Sequence, residues 1–314
     1  MSLSEIKDSF RRGELGKSEF VSRMHAYHRL LIEYAAFLEG TGVERIEIGG
    51  GKAVFTCRGV DVKLCYDDPV DQHVTPLTLL NFDAYEPEDS GMLFGLAERV
   101  FGSSPFTFMD IGANVGWYSL NVARRFPGAA VHAFEPVPGI FRNLEKNLAV
   151  NALPRITAHN LGFMDKGGRL EFYYDPSISG RTSARNLADD PGAGTVSCEV
   201  KRLDDFVAEE GVFPDLLKVD VEGAELFVFQ GAQATLAGHR PVVFTEMLRK
   251  WAGKFGYHPD AILDLFSGLG YRCYFAEGGT LVELHRMTED VTATNFFFLH
   301  REAHERVLPG ISSL

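Results

Sequence analysis

Seven consecutive residues, Asp110-Ile111-Gly112-Ala113-Asn114-Val115-Gly116, combine the ingredients of a small-molecule cradle. Gly112 and Gly116 allow a tight turn and close backbone approach by a ligand. The helix expected after them offers free amides to a carboxylate or phosphate. Asp110, at the end of the preceding apolar run, could receive an ammonium group, so a zwitterionic amino-acid tail would satisfy both ends. The spacing is G-x-x-x-G, and Asn114 stands where a dinucleotide-binding loop would carry its second glycine. A pyrophosphate cradle is therefore disfavoured.

A second acidic element follows at Phe134-Glu135-Pro136. A carboxylate at the end of the second strand of such a sheet lies where a ribose is held, and it can accept from both ribose hydroxyls at once. Pro136 follows it directly. Past the next strand, Asn160-Leu161-Gly162-Phe163 would lie beside an adenine. Gly162 leaves room there. Phe163 either covers a ring face or belongs to the core.

Three further carboxylates fall at or just after strand ends. Asp220 follows an apolar strand, Glu222 opens the next turn, and Glu246 ends the neighbouring strand. Asp220 or Glu246 could act as a general base or position an acceptor, and Asp220, Glu222 and Glu246 together could hold a magnesium-like cation through oxygen. Metal-free chemistry is the favoured expectation. Glu225 is expected only to complement a helix dipole. His285, in a loop, is an outside candidate for the base or for acceptor binding, and His132 reads as structural. Residues 176–195 are rich in Ser, Gly and Asp without periodicity, and Arg181 within them could touch a polar acceptor.

These groups need a sheet to position them. Residues 106–111, 130–134, 155–160, 216–221 and 241–246 read as strands, and 117–126, 140–151, 224–237 and 260–268 as helices. Such alternation predicts a mostly parallel sheet covered on both faces, with ligands beyond the carboxyl ends of the strands. Strands at 272–275, 281–284 and 295–299 have no helices between them, which predicts an antiparallel edge hairpin at the C-terminus. Residues 1–75 form a separate helical and β-hairpin appendage to the domain 76–314. Its Phe20, Met24, Tyr27, Leu31 and Tyr34 recur at helical spacing. The appendage could make a dimer, cover the site, or simply pack.

Thirty-one Lys and Arg face 43 Asp and Glu, a formal net charge of −12, so a nucleic-acid partner is not expected. No apolar run reaches the roughly 18 residues of a membrane helix. The four cysteines form no C-x-x-C pair, which argues for free thiols. A cytoplasmic protein without a membrane partner is expected, with homo-oligomers formed, if at all, through the appendage.

Three segments resemble the FkbM family of S-adenosylmethionine-dependent methyltransferases: 108–120, Phe134-Glu135-Pro136, and 217–225 running on to Gln230-Gly231-Ala232. The last is the most diagnostic. The resemblance covers about residues 80–300 and includes Tyr85-Glu86-Pro87, which places Glu86 with the donor-binding residues. It implies a seven-stranded Rossmann-like methyltransferase sheet, S-adenosyl-L-methionine as cofactor, and O-methylation of a hydroxyl on a sugar, polyketide or related metabolite. One departure stands out: Gly162-Phe163-Met164 precedes Asp165 where such proteins carry a small residue followed directly by Asp. Two alternatives share much of this pattern, an NAD-dependent oxidoreductase and a non-catalytic S-adenosylmethionine-binding protein.

Overall fold

Helix formers dominate the first forty residues, and in the computed structural model, which describes residues 1–67, 70–174, 182–189 and 193–307, they fold as α1 (Leu3–Arg11), α2 (Lys17–His28) and α3 (Leu30–Phe37). Ser2 and Glu5 close a capping box on α1. A three-stranded antiparallel sheet follows, made of β1 (Val43–Gly49), β2 (Lys52–Cys57) and β3 (Lys63–Tyr66). Then come α4 (Thr75–Phe82) and α5 (Pro87–Phe101).

The alternating region begins at β4 (Thr107–Ile111), followed by α6 (Trp117–Arg125), β5 (Ala130–Phe134), α7 (Pro138–Asn151) and β6 (Ile156–His159). After β7 (Gly162–Phe163), β8 (Gly168–Tyr174), β9 (Gly194–Lys201) and α8 (Leu203–Glu210), the large sheet resumes. Its remaining strands are β10 (Leu216–Val219), β11 (Val242–Glu246), β12 (Tyr271–Glu277), β13 (Thr280–Leu284) and β14 (Asn295–His300). Between β10 and β12 run α9 (Glu225–Gln230), α10 (Gln233–His239), α11 (Arg249–Lys254) and α12 (Asp260–Gly268). The helix expected over 224–237 is thus two helices. They part at Gly231, whose carbonyl accepts the Asp204 amide.

The large sheet has the order β13-β12-β14-β11-β10-β4-β5-β6. From β6 to β11 every neighbour is parallel, while β14 runs antiparallel to both β11 and β12. All eight strands read from the sequence are present, one more than the seven the resemblance implies, and β13 forms the expected edge hairpin with β12. Strands buried on both faces explain the unbroken apolar runs. In β14, Phe296 and Phe298 face one core layer with Phe134, Phe229 and Phe266. Phe297 and Leu299 face the other, with Phe108, Leu93 and Phe244.

A third, small sheet, β7-β9-β8, was not foreseen in the sequence. It folds against the start of α7 through Phe172, Val196 and Cys198 on Val137 and Ile140. Among the described residues no helix is long and apolar enough to cross a membrane.

The appendage is tied to the sheet domain by amides. Asn147 Oδ1 accepts the Cys65 amide at 2.7 Å and its Nδ2 donates to the Val115 carbonyl at 2.8 Å. Asn151 brackets Lys63 in the same way, accepting its amide at 2.8 Å and donating to its carbonyl at 2.6 Å. Asn147 is buried, so Asn147→Ala leaves an amide and a carbonyl without partners. A loss of about 1–3 kcal/mol is expected, read as a lower urea midpoint at unchanged slope. An unchanged midpoint would show that the bridge contributes nothing.

Candidate active site

The loop after β4 is shaped by what lies behind it. Gly112 has φ of +76°, and a Cβ there would stand 1.8 Å from the Asp220 carbonyl oxygen, so β4 and β10 close on each other only over a glycine. Gly116, at φ +87°, starts α6. Asp110 is fully buried. Its Oδ2 accepts the Ser119 amide at 3.1 Å and the Ser119 hydroxyl at 2.7 Å, which fixes the first turn of α6.

The ammonium that Asp110 receives belongs to the protein. Lys218 Nζ lies 3.3 Å from Asp110 Oδ1 and 3.4 Å from Asp220 Oδ2, and it donates to the Gly112 carbonyl at 2.9 Å. Burial alone would push this ammonium's pKa down, but Asp110 and Asp220 outweigh it and hold it above the ordinary lysine value. Lys218 also faces the Tyr118 ring at 5.4 Å. The expectation that Asp110 takes a ligand's ammonium is corrected here: it sits behind the loop and orients Lys218, which reaches the cavity wall. Sequence reading missed Lys218. The signal was present, since a lysine inside the apolar run Leu216-Leu217-Lys218-Val219 needs a buried partner.

Above the loop is a cleft open to solvent. Gly112, Asn114, Glu135, Pro136, Lys218 and Asp220 line its walls. Glu135 Oε1 accepts the Val137 amide at 2.9 Å and Oε2 the Asn114 amide at 3.2 Å. Burial nonetheless pushes its pKa up to about 7. Beside it Pro136, Ile140 and Phe172 form an apolar wall. Asn160 braces this corner from outside, donating to the Glu135 and Pro136 carbonyls at 2.8 and 2.9 Å. Two buried polar atoms of wall residues, Asn114 Oδ1 and Trp117 Nε1, have no hydrogen-bond partner among the described residues.

Carboxylates crowd the opposite end. One oxygen each of Asp220, Glu222 and Glu246 lies within 4.8 Å of the others. Burial, then Asp220 and Glu222, push the Glu246 pKa well above the carboxylate range. Glu86 accepts from the Tyr118 hydroxyl at 2.5 Å, and burial raises its pKa to about 7. Glu86, Asn114 and Glu222 have φ of +43°, +49° and +54°. Non-glycine residues held in this region are strained, and strain of this kind gathers at working sites. Glu225 lies below, buried, its Oε1 accepting the Val221 and Gly223 amides at 3.1 and 3.0 Å, which braces the turn.

Several expectations move. Phe163 is core, set edge-on against Phe134 and Phe206, and the ring beside Pro136 and Ile140 at the cavity is Phe172 on β8, while Tyr85, Trp117 and Tyr118 line it elsewhere. Gly162 is buried behind Pro136, where a Cβ would meet the proline ring at 3.2 Å. His285 follows Leu284, which pairs with Cys273 near the start of β12, so it lies at the opposite end of the sheet from the cavity. Its closest acidic neighbour is Glu283, at 3.9 Å. His132 pairs with His159 at 3.1 Å. Arg181 lies outside the described residues.

Removing Lys218 should be the most damaging single change at the site. Lys218→Ala leaves Asp110 buried without its cation and is expected to lower stability by about 3–5 kcal/mol. The deficit should shrink as pH falls, because protonation of the stranded carboxylates removes the uncompensated charge. Urea unfolding at pH 8 and pH 5 checks this; a deficit that does not change with pH would refute the electrostatic account.

The family model described as the methyltransferase FkbM domain matches residues 110–273, just over half of the chain. The methyltransferase sdnD of Sordaria araneosa is 37% identical over 160 residues, covering 41% of this chain and 61% of that protein. The 2-O-methyltransferase NoeI of Sinorhizobium fredii is 30% identical over 188 residues, 54% of this chain and 74% of that protein. The 31-O-demethyl-FK506 methyltransferase FkbM of Streptomyces tacrolimicus is 34% identical over 152 residues, covering 40% and 58%. The match thus spans about three fifths of sdnD and FkbM. A solved methyltransferase FkbM from Methylobacillus flagellatus overlaps 62% of this chain and 43% of its own at 18% identity, with a TM-score of 0.41. With its glycine loop, Glu135 and the Asp220 turn all inside the matched segment, the chain belongs to the FkbM methyltransferase family.

Proposed function

We propose that this methyltransferase takes its methyl group from S-adenosyl-L-methionine and delivers it to a hydroxyl oxygen of a small metabolite such as a sugar or polyketide. The observation that carries the reading is Glu135. Its carboxylate is held by two backbone amides at the cavity wall, next to the glycine loop and an apolar wall. That set suits a nucleoside: the carboxylate for a ribose diol, and Pro136, Ile140 and Phe172 for a base. Asn114 Oδ1, unpartnered among the described residues, offers an acceptor to a donor's ammonium. O-transfer draws support from the names of the relatives NoeI and FkbM. The family assignment sets aside the oxidoreductase reading.

A sulfonium donor supplies an already activated methyl group, so the protein's work is alignment and proton removal. Lys218 fixes Asp220 through the 3.4 Å ion pair, leaving the rest of that carboxylate toward the cavity. An acceptor hydroxyl placed there gives its proton to Asp220 as its oxygen takes the methyl group and the sulfonium leaves as a neutral thioether. Burial and the charges of Asp220 and Glu222 raise the proton affinity of Glu246, so its part is to position. Asp220→Asn is therefore expected to reduce turnover by about 10²–10⁴, whereas Glu246→Gln keeps most of it. The reverse ranking would reassign the base to Glu246. We infer that no metal takes part, since the Lys218 ammonium already stands 3.4 Å from Asp220 and would repel a dication at the trio. Turnover should survive EDTA; loss restored by Mg²⁺ would replace this reading with metal-assisted transfer.

Donor binding tests the central claim. S-adenosylhomocysteine should bind by titration calorimetry, and Glu135→Ala should abolish it. Hydrogen bonds from a ribose favour the ionised carboxylate. Affinity should therefore rise as pH climbs through about 7 and level off above, with proton release on binding below that. In the free protein the sign is opposite. A raised pKa gives a contribution to folding that is full below the carboxyl's unfolded value and lost as pH rises through about 7, so bound ligand stabilises most at high pH. No binding at any pH would overturn the donor assignment. Binding without turnover on any hydroxyl acceptor would favour a non-catalytic binding protein.

A further inference from the structure

We propose that α2 and α3 pair with the same helices of a second copy of this chain, side by side and antiparallel. None of their residues is buried, although α3 reads LLIEYAAF. Leu31 is 58% and Ile32 75% exposed, and Tyr34 and Phe37 about half. A helix this apolar is stable in water only when something covers it.

The spacing specifies what. Phe20, Met24, Tyr27, Leu31, Tyr34 and Leu38 are separated by four, three, four, three and four residues, the alternation that makes the seam of a helix pair. The series is its own mirror image. Laid antiparallel on a copy of itself, Met24 meets Tyr34 and Tyr27 meets Leu31, while Phe20 and Leu38 fall at the two ends, each half-buried on its own chain against Phe10 and the appendage core. A two-fold axis through the middle of the rod produces this self-complementary contact.

Charge selects the same arrangement. Residues 17–29 carry Lys17, Arg23 and Arg29 against Glu19, a net +2; residues 30–40 carry Glu33 and Glu39 alone, a net −2. Antiparallel pairing sets the basic half of each rod against the acidic half of the other, whereas parallel pairing opposes like halves. An anionic lipid surface gains nothing from this rod, whose charges cancel while the whole chain stands at −12.

Sedimentation equilibrium of the full chain should give twice its mass of 34.8 kDa at micromolar concentration. Leu31→Glu, on an exposed side chain, should halve that mass with an unchanged circular dichroism spectrum. Glu33→Lys with Glu39→Lys should weaken the dimer roughly tenfold or more. Adding Arg23→Glu and Arg29→Glu to that variant should restore it. To fix direction, a Met24→Cys chain is mixed with a Tyr34→Cys chain and oxidised. Antiparallel pairing gives the mixed disulfide, while bonds only between identical variants overturn it. A monomeric wild-type chain, or a Leu31→Glu chain that remains a dimer, overturns the proposal.

Discussion

The buried ammonium of Lys218 is the interaction on which the site is built. It joins β4 through Asp110, the end of β10 through Asp220, and the glycine loop through the Gly112 carbonyl. A charge taken out of water is tolerated only if its surroundings replace the lost solvation, and here two carboxylates and a carbonyl do so. Because each partner sits on a different segment, satisfying the ion fixes the relative positions of all three. Asp110 passes that order on to α6 through Ser119. The collision that any side chain at Gly112 would have with the Asp220 carbonyl shows how tightly the two strand ends close around it.

What surrounds the ion is strongly acidic. Glu135, Asp220 and Glu222 line one cleft, Glu246 lies with the last two and Glu86 holds the wall residue Tyr118, and burial raises the proton affinity of Glu86 and Glu135 into the neutral range. Crowding of this kind opposes ionisation of all the groups together. The same field favours a cationic donor, and loses part of that attraction once the methyl group has left and the donor is neutral. Binding and release of the proposed cofactor pair are thus biased by the cavity's own charge.

Much of this was legible in the sequence because the relevant rules are local. An apolar strand ending in Asp110-Ile111-Gly112 reads as a loop at a sheet end, Glu135 follows from its place after the next strand, and Asp220 stands out as a carboxylate beside an apolar run. Failures came where distant segments decide. Whether Phe163 or Phe172 reaches the cavity depends on how the β8–β9 ribbon folds over α7, which no periodicity encodes. His285 lies in a turn, but which end of the sheet that turn occupies depends on β13 pairing with β12. Asp110 looked open to a ligand because its partner, Lys218, is more than a hundred residues away.

The asparagines of α7 have a consequence beyond holding two parts together. β3 pairs with β2 along one side only, which leaves the amides of Lys63 and Cys65 facing outward. Unsatisfied edges of this kind recruit strands from other molecules and seed aggregation. Here a helix takes the place of the missing strand: side-chain amides of Asn147 and Asn151, one turn apart, present acceptors at the two-residue spacing of the strand. The β3 edge of the three-stranded sheet is thereby closed against extension without gaining a fourth strand.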